Sequence, residues 1–179
     1  MKNVHLLWMT VASLTGCIYR DDDTDCIADR SLQVGVNLSD RAVFRDTFQF
    51  DHTQPSTYTS SVSVSVDGDE GGSRILSLYF VRIQSLHWDV YVTADGIPVH
   101  VENGSVGSFG RYKATLDFDQ TGALVGEAPH PIITEELTFP DSSRHRIEVD
   151  FSSHGMTALS AINYGVSTLS VVYGCTQND

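Results

Sequence analysis

Cationic residues are scarce in this sequence. Lys and Arg number 11 against 23 Asp and Glu, a formal charge of -12 over 179 residues. That shortage excludes nucleic acid or anionic headgroups as partners through a basic face. Long apolar runs are missing too: residues 6–12 form a short one, well below the roughly 20 residues that a membrane-spanning helix needs. Lys, Met and Ala-rich stretches are thin, while Ser, Thr, Val, Gly and Asp dominate, which disfavours helix and favours β-structure. Signatures of catalysis are absent. No Gly-x-Ser-x-Gly elbow, phosphate loop, His-Glu-x-x-His or paired Cys-x-x-Cys occurs, so no enzyme, cofactor or metal centre is expected.

The residues that might have supplied chemistry read more simply. His130 and His145 flank a strand candidate and His154 sits in a loop, a spacing that fits solvated loop histidines better than a metal set. Asp67, Asp69 and Glu70 lack the twelve-residue calcium loop with its closing Glu, and read as turn residues. Trp88, Tyr79 and Tyr91 lie in alternating segments, where packing on a sheet face is expected before a ligand groove.

What is present begins at the N-terminus. Lys2 is the only charge before Arg20, and a short apolar run leads into Leu14-Thr15-Gly16-Cys17. A basic start, a brief apolar core and small residues describe a secretory signal; a buried N-terminal strand is the alternative. The four residues resemble the bacterial lipobox, which implies acylation of the Cys17 thiol and removal of residues 1–16. Several acyl chains hold a protein firmly where one holds it marginally. The segment Arg20 to Asp25, acidic after its first residue, reads as a hydrated tether. Ile18 stands where an Asp would resemble an inner-membrane retention signal, so an outer membrane is the expected address. The expected division is therefore a signal over 1–16, a lipidated Cys and tether over 17–31, and a β-domain over 32–179.

From Leu32 the pattern is period two, as half-buried strands require. Residues 61–66 put three valines on one face and three serines on the other. Further strands are predicted over 75–81, 88–92, 113–118, 132–139, 146–151 and 168–173, with turns at 67–72, at Asp95-Gly96 and at 119–122. A 179-residue chain suits one domain, and many short strands indicate an all-β antiparallel sandwich or barrel. Gly122 is expected at positive φ in a hairpin and Gly104 in a longer polar loop, so Val should be worse tolerated at Gly122.

The strands resemble, in order, the outer β-domain of the bacterial flagellar hook protein. The carrying residues are Asn37-Leu38, Phe50-Asp51 with Pro55 and Tyr58, the alternating 61–66 strand, Leu78-Tyr79-Phe80-Val81-Arg82 and Trp88-Asp89-Val90-Tyr91. Leu116-Asp117-Phe118-Asp119-Gln120-Thr121-Gly122-Ala123-Leu124 and Asp150-Phe151-Ser152 complete the set. The resemblance implies this β-domain and not the polymerising terminal helices or intermediate domain of hook proteins. In that family the domain is an insertion, which implies that its chain enters and leaves at neighbouring points. Cys26 and Cys175 flank the matching region, so with Cys17 acylated they are expected to form a disulfide; two separate thiols are the alternative.

The function that follows is a non-enzymatic envelope lipoprotein, lipid-anchored to a membrane, that presents a hook-type β-domain to protein partners, flagellar ones among them. A truncated or divergent hook component of the flagellum, and a ligand-binding β-sandwich lipoprotein, are the alternatives.

Overall fold

The computed structural model describes residues 28–39, 41–110, 112–151 and 165–176. Cys17, Cys26 and the acidic run lie outside the described residues, as does His154.

Period-two burial organises the largest sheet. Strand β2 (Ser60–Asp67) buries Val62 and Val66 and leaves Ser61, Ser63 and Ser65 exposed, as its alternation predicts. It pairs antiparallel with β3 (Ser73–Gln84), and β3 pairs with β4 (His87–Ala94). The sheet continues through β7 (Tyr112–Phe118) to β6 (Ser105–Val106), with β5 (Ile97–Val99) beside β4 and β8 (Leu124–Ala128) beside β7. A second sheet has the order β13 (Gly165–Thr176), β1 (Ala28–Asn37), β12 (Ile147–Asp150), β9 (Ile132–Ile133). A small hairpin, β10 (Leu137–Thr138) with β11 (Arg144–His145), completes the set.

The core lies between the two sheets. Leu32 and Val34 of β1, Ile147 and Val149 of β12, and Ile132 of β9 pack in one cluster with Val66, Leu76, Leu78, Phe80, Trp88, Val90 and Leu116 of the larger sheet. The all-β expectation holds as a sandwich. The barrel form does not, because the described strands form two main sheets and a small hairpin without a closed ring. The pairing is antiparallel apart from β1 with β12, which is parallel.

Several local expectations are met by visible causes. Asp95 (φ 51°) and Gly96 (φ 75°) turn β4 into β5, the double positive φ of a tight hairpin. Asp119 caps the next hairpin: its carboxylate accepts from Thr121 N at 2.8 Å and Ala123 N at 3.0 Å, with Gly122 at φ 82°. The 132–139 run, expected as one strand, divides into β9 and β10. Between them the backbone changes partners, Thr134 N donating to Ile147 O at 3.0 Å and Glu135 N to His100 O at 2.9 Å. The boundary at Leu32 moves to Ala28, because residues of the expected tether already pair: Arg30 opposes Ile147 on one side and Tyr173 on the other.

Gly104 overturns an expectation. A Cβ there would stand 2.6 Å from Lys113 O and 3.0 Å from Val101 O, both backbone atoms. The position is a close crossing of chains and not a slack loop. Gly122→Val carries the strain of a β-branched residue at positive φ, about 1–3 kcal/mol. Gly104→Val must move a strand, so it is expected to lower the melting temperature at least as far, as a side-by-side thermal melt of the two variants will show.

Candidate functional site

The sandwich has two distinct ends. β1 and β13 pair along their length, with Ala28 opposite Thr176, so the start of the first described strand and the end of the last lie together at one end. The 67–72 turn is there too: Arg30 Nη2 donates to Asp69 Oδ1 at 2.7 Å. His145 is buried at 4% exposure and locks the same corner. Its Nδ1 contacts Asp29 Oδ2, and its Nε2 lies 3.3 Å from Asp69 Oδ1. Arg30 also stacks on Tyr173, its Cζ 4.9 Å from the ring centroid. One corner thus ties β1, β11, β13 and the β2–β3 turn together. This end is the root.

β1 runs away from the root and delivers Leu38 into the long 38–59 connection. That connection folds back over the outer face of the large sheet, opposite the main core. Two 3-10 turns, Thr47–Gln49 and Pro55–Thr57, shape it. The first is capped by Asp46, whose carboxylate accepts from Phe48 N at 2.9 Å. Backbone bonds from Arg45 N to Arg82 O (2.7 Å) and from Thr59 N to Phe80 O (2.8 Å) fasten the connection to β3. We call this end the tip.

A second, smaller core forms beneath it. Phe50 stacks on Tyr91 with centroids 4.1 Å apart and planes 12° from parallel. Tyr58 and Tyr79 meet edge to face at 5.0 Å, and Val81 is fully buried among them. Beside these rings lies a buried ion pair between Asp89, 1% exposed, and Lys113, 8% exposed. The other carboxylate oxygen accepts from the Thr47 hydroxyl. Thr47 Oγ1 is also 2.7 Å from the Tyr91 hydroxyl, which accepts from Ser108 N at 3.1 Å. Burial pushes the Tyr91 phenol up. A charge pair thus rivets the connection onto the sheet.

The residues singled out in the sequence fall as follows. Trp88 is in the main core; Tyr79 and Tyr91 pack in the smaller one. Asp67, Asp69 and Glu70 form a turn, and Glu70 N donates to Asp141 at 2.8 Å. Asp141 is held well below the ordinary carboxylate range, chiefly by the Ser143 hydroxyl and then by the Glu70 amide. His130 pairs with Glu127 at 3.1 Å on the surface, whereas His145 is buried, contrary to the solvated reading. Among the described residues no group of three or more His, Cys, Asp and Glu is placed to hold a metal. Cys175 lies in β13, one residue before Thr176, itself opposite Ala28. The Lys113–Asp89 pair and the Arg30–Asp69–His145 corner escaped the sequence reading, since their partners lie far apart in the chain.

Glu127 gives a pH-dependent expectation. Burial pushes its carboxyl up against the opposing hydrogen bond from His130, and Oε1 has no hydrogen-bond partner. A raised folded value means that its contribution is fully present below the unfolded value, about pH 4.3, and is lost as pH rises through the folded one. Glu127→Gln is therefore expected to melt higher than the parent at pH 7–8 and level with it near pH 3. Melting curves across that range check it.

A sandwich of two packed sheets, with a long connection riveted to the outer face of one, defines the class as an all-β domain. Residues 37–172 match the family model of the flagellar basal body protein FlaE D2 domain, and the chain belongs to that family. No curated protein matches the chain. The resemblance to the hook outer β-domain, carried by its ordered strand blocks, is borne out.

Proposed function

We propose that this chain is a non-enzymatic envelope lipoprotein, anchored through Cys17 after loss of residues 1–16, that holds its hook-type β-domain out to protein partners. The observation that carries the reading is the pairing of β1 with β13, Ala28 opposite Thr176. It brings the chain's entry to one end of the sandwich, so a lipid at Cys17 joined by the acidic 21–25 run leaves the tip facing away. Ile18 after the acylated cysteine favours the outer membrane. No enzymatic role is assigned, in keeping with the structural family and with the absence of catalytic motifs.

A Cys26–Cys175 disulfide fits the same reading. Cys26 precedes Ala28 by two residues and Cys175 precedes Thr176 by one, so a bond would clasp the root.

A second reading is favoured by the family itself: a divergent hook component incorporated in the flagellum. Fractionation separates the two. The lipoprotein reading expects the parent in the outer-membrane fraction and Cys17→Ser released from it. Parent protein recovered in purified hooks, with Cys17→Ser behaving identically, would overturn it in favour of the second.

A further inference from the structure

The cations of this acidic chain are distributed unevenly. Arg30 pairs with Asp69, Arg74 with Asp95, Lys113 with Asp89, Arg144 with Glu136 and Arg146 with Glu102. Among the described residues Arg41, Arg45 and Arg82 pair with no carboxylate, and all three are at the tip. Arg82 is the most telling. It is 6% exposed, Nη1 donates to Ala42 O at 2.6 Å, and Nε has no hydrogen-bond partner. Its guanidinium lies 4.6 Å from the centroid of Phe44. A desolvated charge without a counter-ion is unfavourable, and here it holds an aromatic ring outward. Phe44 is 54% exposed, with Val43 at 65% and Phe48 at 69%.

Next to these residues is an open cavity of about 580 Å³, lined by Leu38, Ala42, Pro55 and Tyr58, with Arg41 and Arg45 also on its wall. A wall that mixes Leu38, Ala42, Pro55 and Tyr58 with Ser39 and Thr59, flanked by two unpaired guanidiniums and exposed aromatics, has the anatomy of an interface hot spot, where aromatic and Arg anchors dominate. We propose that the tip docks an acidic segment of a protein partner, an apolar side chain entering the cavity and neighbouring carboxylates meeting Arg41 and Arg45. The proposal rests on the reading of the domain as a protein-contact module and names its contact face and the chemistry of its partner.

The chain's own acidic run does not reach. Asp21 precedes Ala28 by seven residues, at most about 25 Å of extended chain, whereas β1 carries Leu38 about 33 Å from Ala28. The net charge of -12 repels anionic lipid and acidic peptide alike. What selects the peptide is the cavity, which a single side chain enters and a flat bilayer does not.

The test uses the full chain in detergent and a short fluorescein-labelled peptide of Asp and Glu with one Phe and one Leu. Fluorescence anisotropy is expected to rise saturably at low salt and to weaken as salt is added. In Arg41→Glu/Arg45→Glu, affinity is expected to fall at least about tenfold, or 1.4 kcal/mol, at an unchanged melting temperature. A Lys-for-Asp/Glu version of the peptide, drawn by the net charge of -12, should lose no affinity in the double variant. No saturable binding by the acidic peptide, or equal binding by the double variant, would overturn the proposal. So would self-association of the parent, or its adhesion to phosphatidylglycerol vesicles, that the double variant abolishes, since each assigns the tip to another occupant. Failure here with Cys17→Ser still released from the membrane removes the docking face alone; loss of the anchor with peptide binding intact removes only the lipoprotein reading.

Discussion

Lys113→Met is expected to destabilise the domain by about 3–5 kcal/mol, because it leaves the Asp89 carboxylate buried with only the Thr47 hydroxyl as partner. For a domain of this size that is a fall in melting temperature of roughly 6–20 °C. The damage should begin at the tip. Thr47 and Tyr91, which tie the 38–59 connection to the sheet, share the same network, so amide exchange in residues 45–58 is expected to quicken more than exchange in β1 or β12. Adding Asp89→Asn to Lys113→Met removes the stranded charge and is expected to restore part of the loss, since an uncharged pair avoids the desolvation of an unpaired ion. Urea unfolding of the parent, the single variant and the double variant checks the sequence of stabilities. A single variant as stable as the parent would show that the pair does not fasten the tip.

Trp88→Ala is expected to cost about 3–5 kcal/mol through the main core instead. Trp88 is 1% exposed in β4, opposite Arg82 on β3 and Leu116 on β7, and packs in the cluster shared by both sheets. Its loss leaves a cavity where the two sheets face each other, and a domain of ordinary stability, about 5–15 kcal/mol, retains little margin. The contrast is Phe48→Ser. Phe48 is 69% exposed, so this change should leave the melting temperature within a degree or two while altering the tip surface. Denaturant melts of the two variants separate core from contact face.

These two sites mark what the sequence could and could not convey. The alternation Trp88-Asp89-Val90-Tyr91-Val92 identifies a strand and puts Trp88, Val90 and Val92 in the core. It also implies a solvated opposite face. That implication fails: Asp89 and Tyr91 are buried as well, because the 38–59 connection returns over them. A cover supplied from some forty residues upstream leaves no periodic trace. The one local signal was compositional, the aromatics Tyr79 and Tyr91 on the face that should have been polar. Turns were legible because their chemistry is local, as at Asp95-Gly96 and Asp119 to Gly122. The Arg30–Asp69–His145 corner was not, since β1 finds its partners β12 and β13 only at the other end of the chain. Gly104 read as loop because the Lys113 carbonyl that crowds it belongs to β7, which folds back beside β6. Strand order, by contrast, was carried by residue blocks spread along the chain, and the family followed from them.

The proposed lipid anchor and the proposed clasp would be carried by one molecule, and its intact mass reads both. Protein extracted from the native host's outer membrane and weighed without reduction is predicted to begin at Cys17, to carry the mass of a diacylglyceryl group and an amide-linked acyl chain, and to be lighter by two hydrogen atoms for a Cys26–Cys175 bond. A mass that retains residues 1–16, with Cys17 unmodified and Cys26 and Cys175 both free, would contradict the anchor and the clasp together.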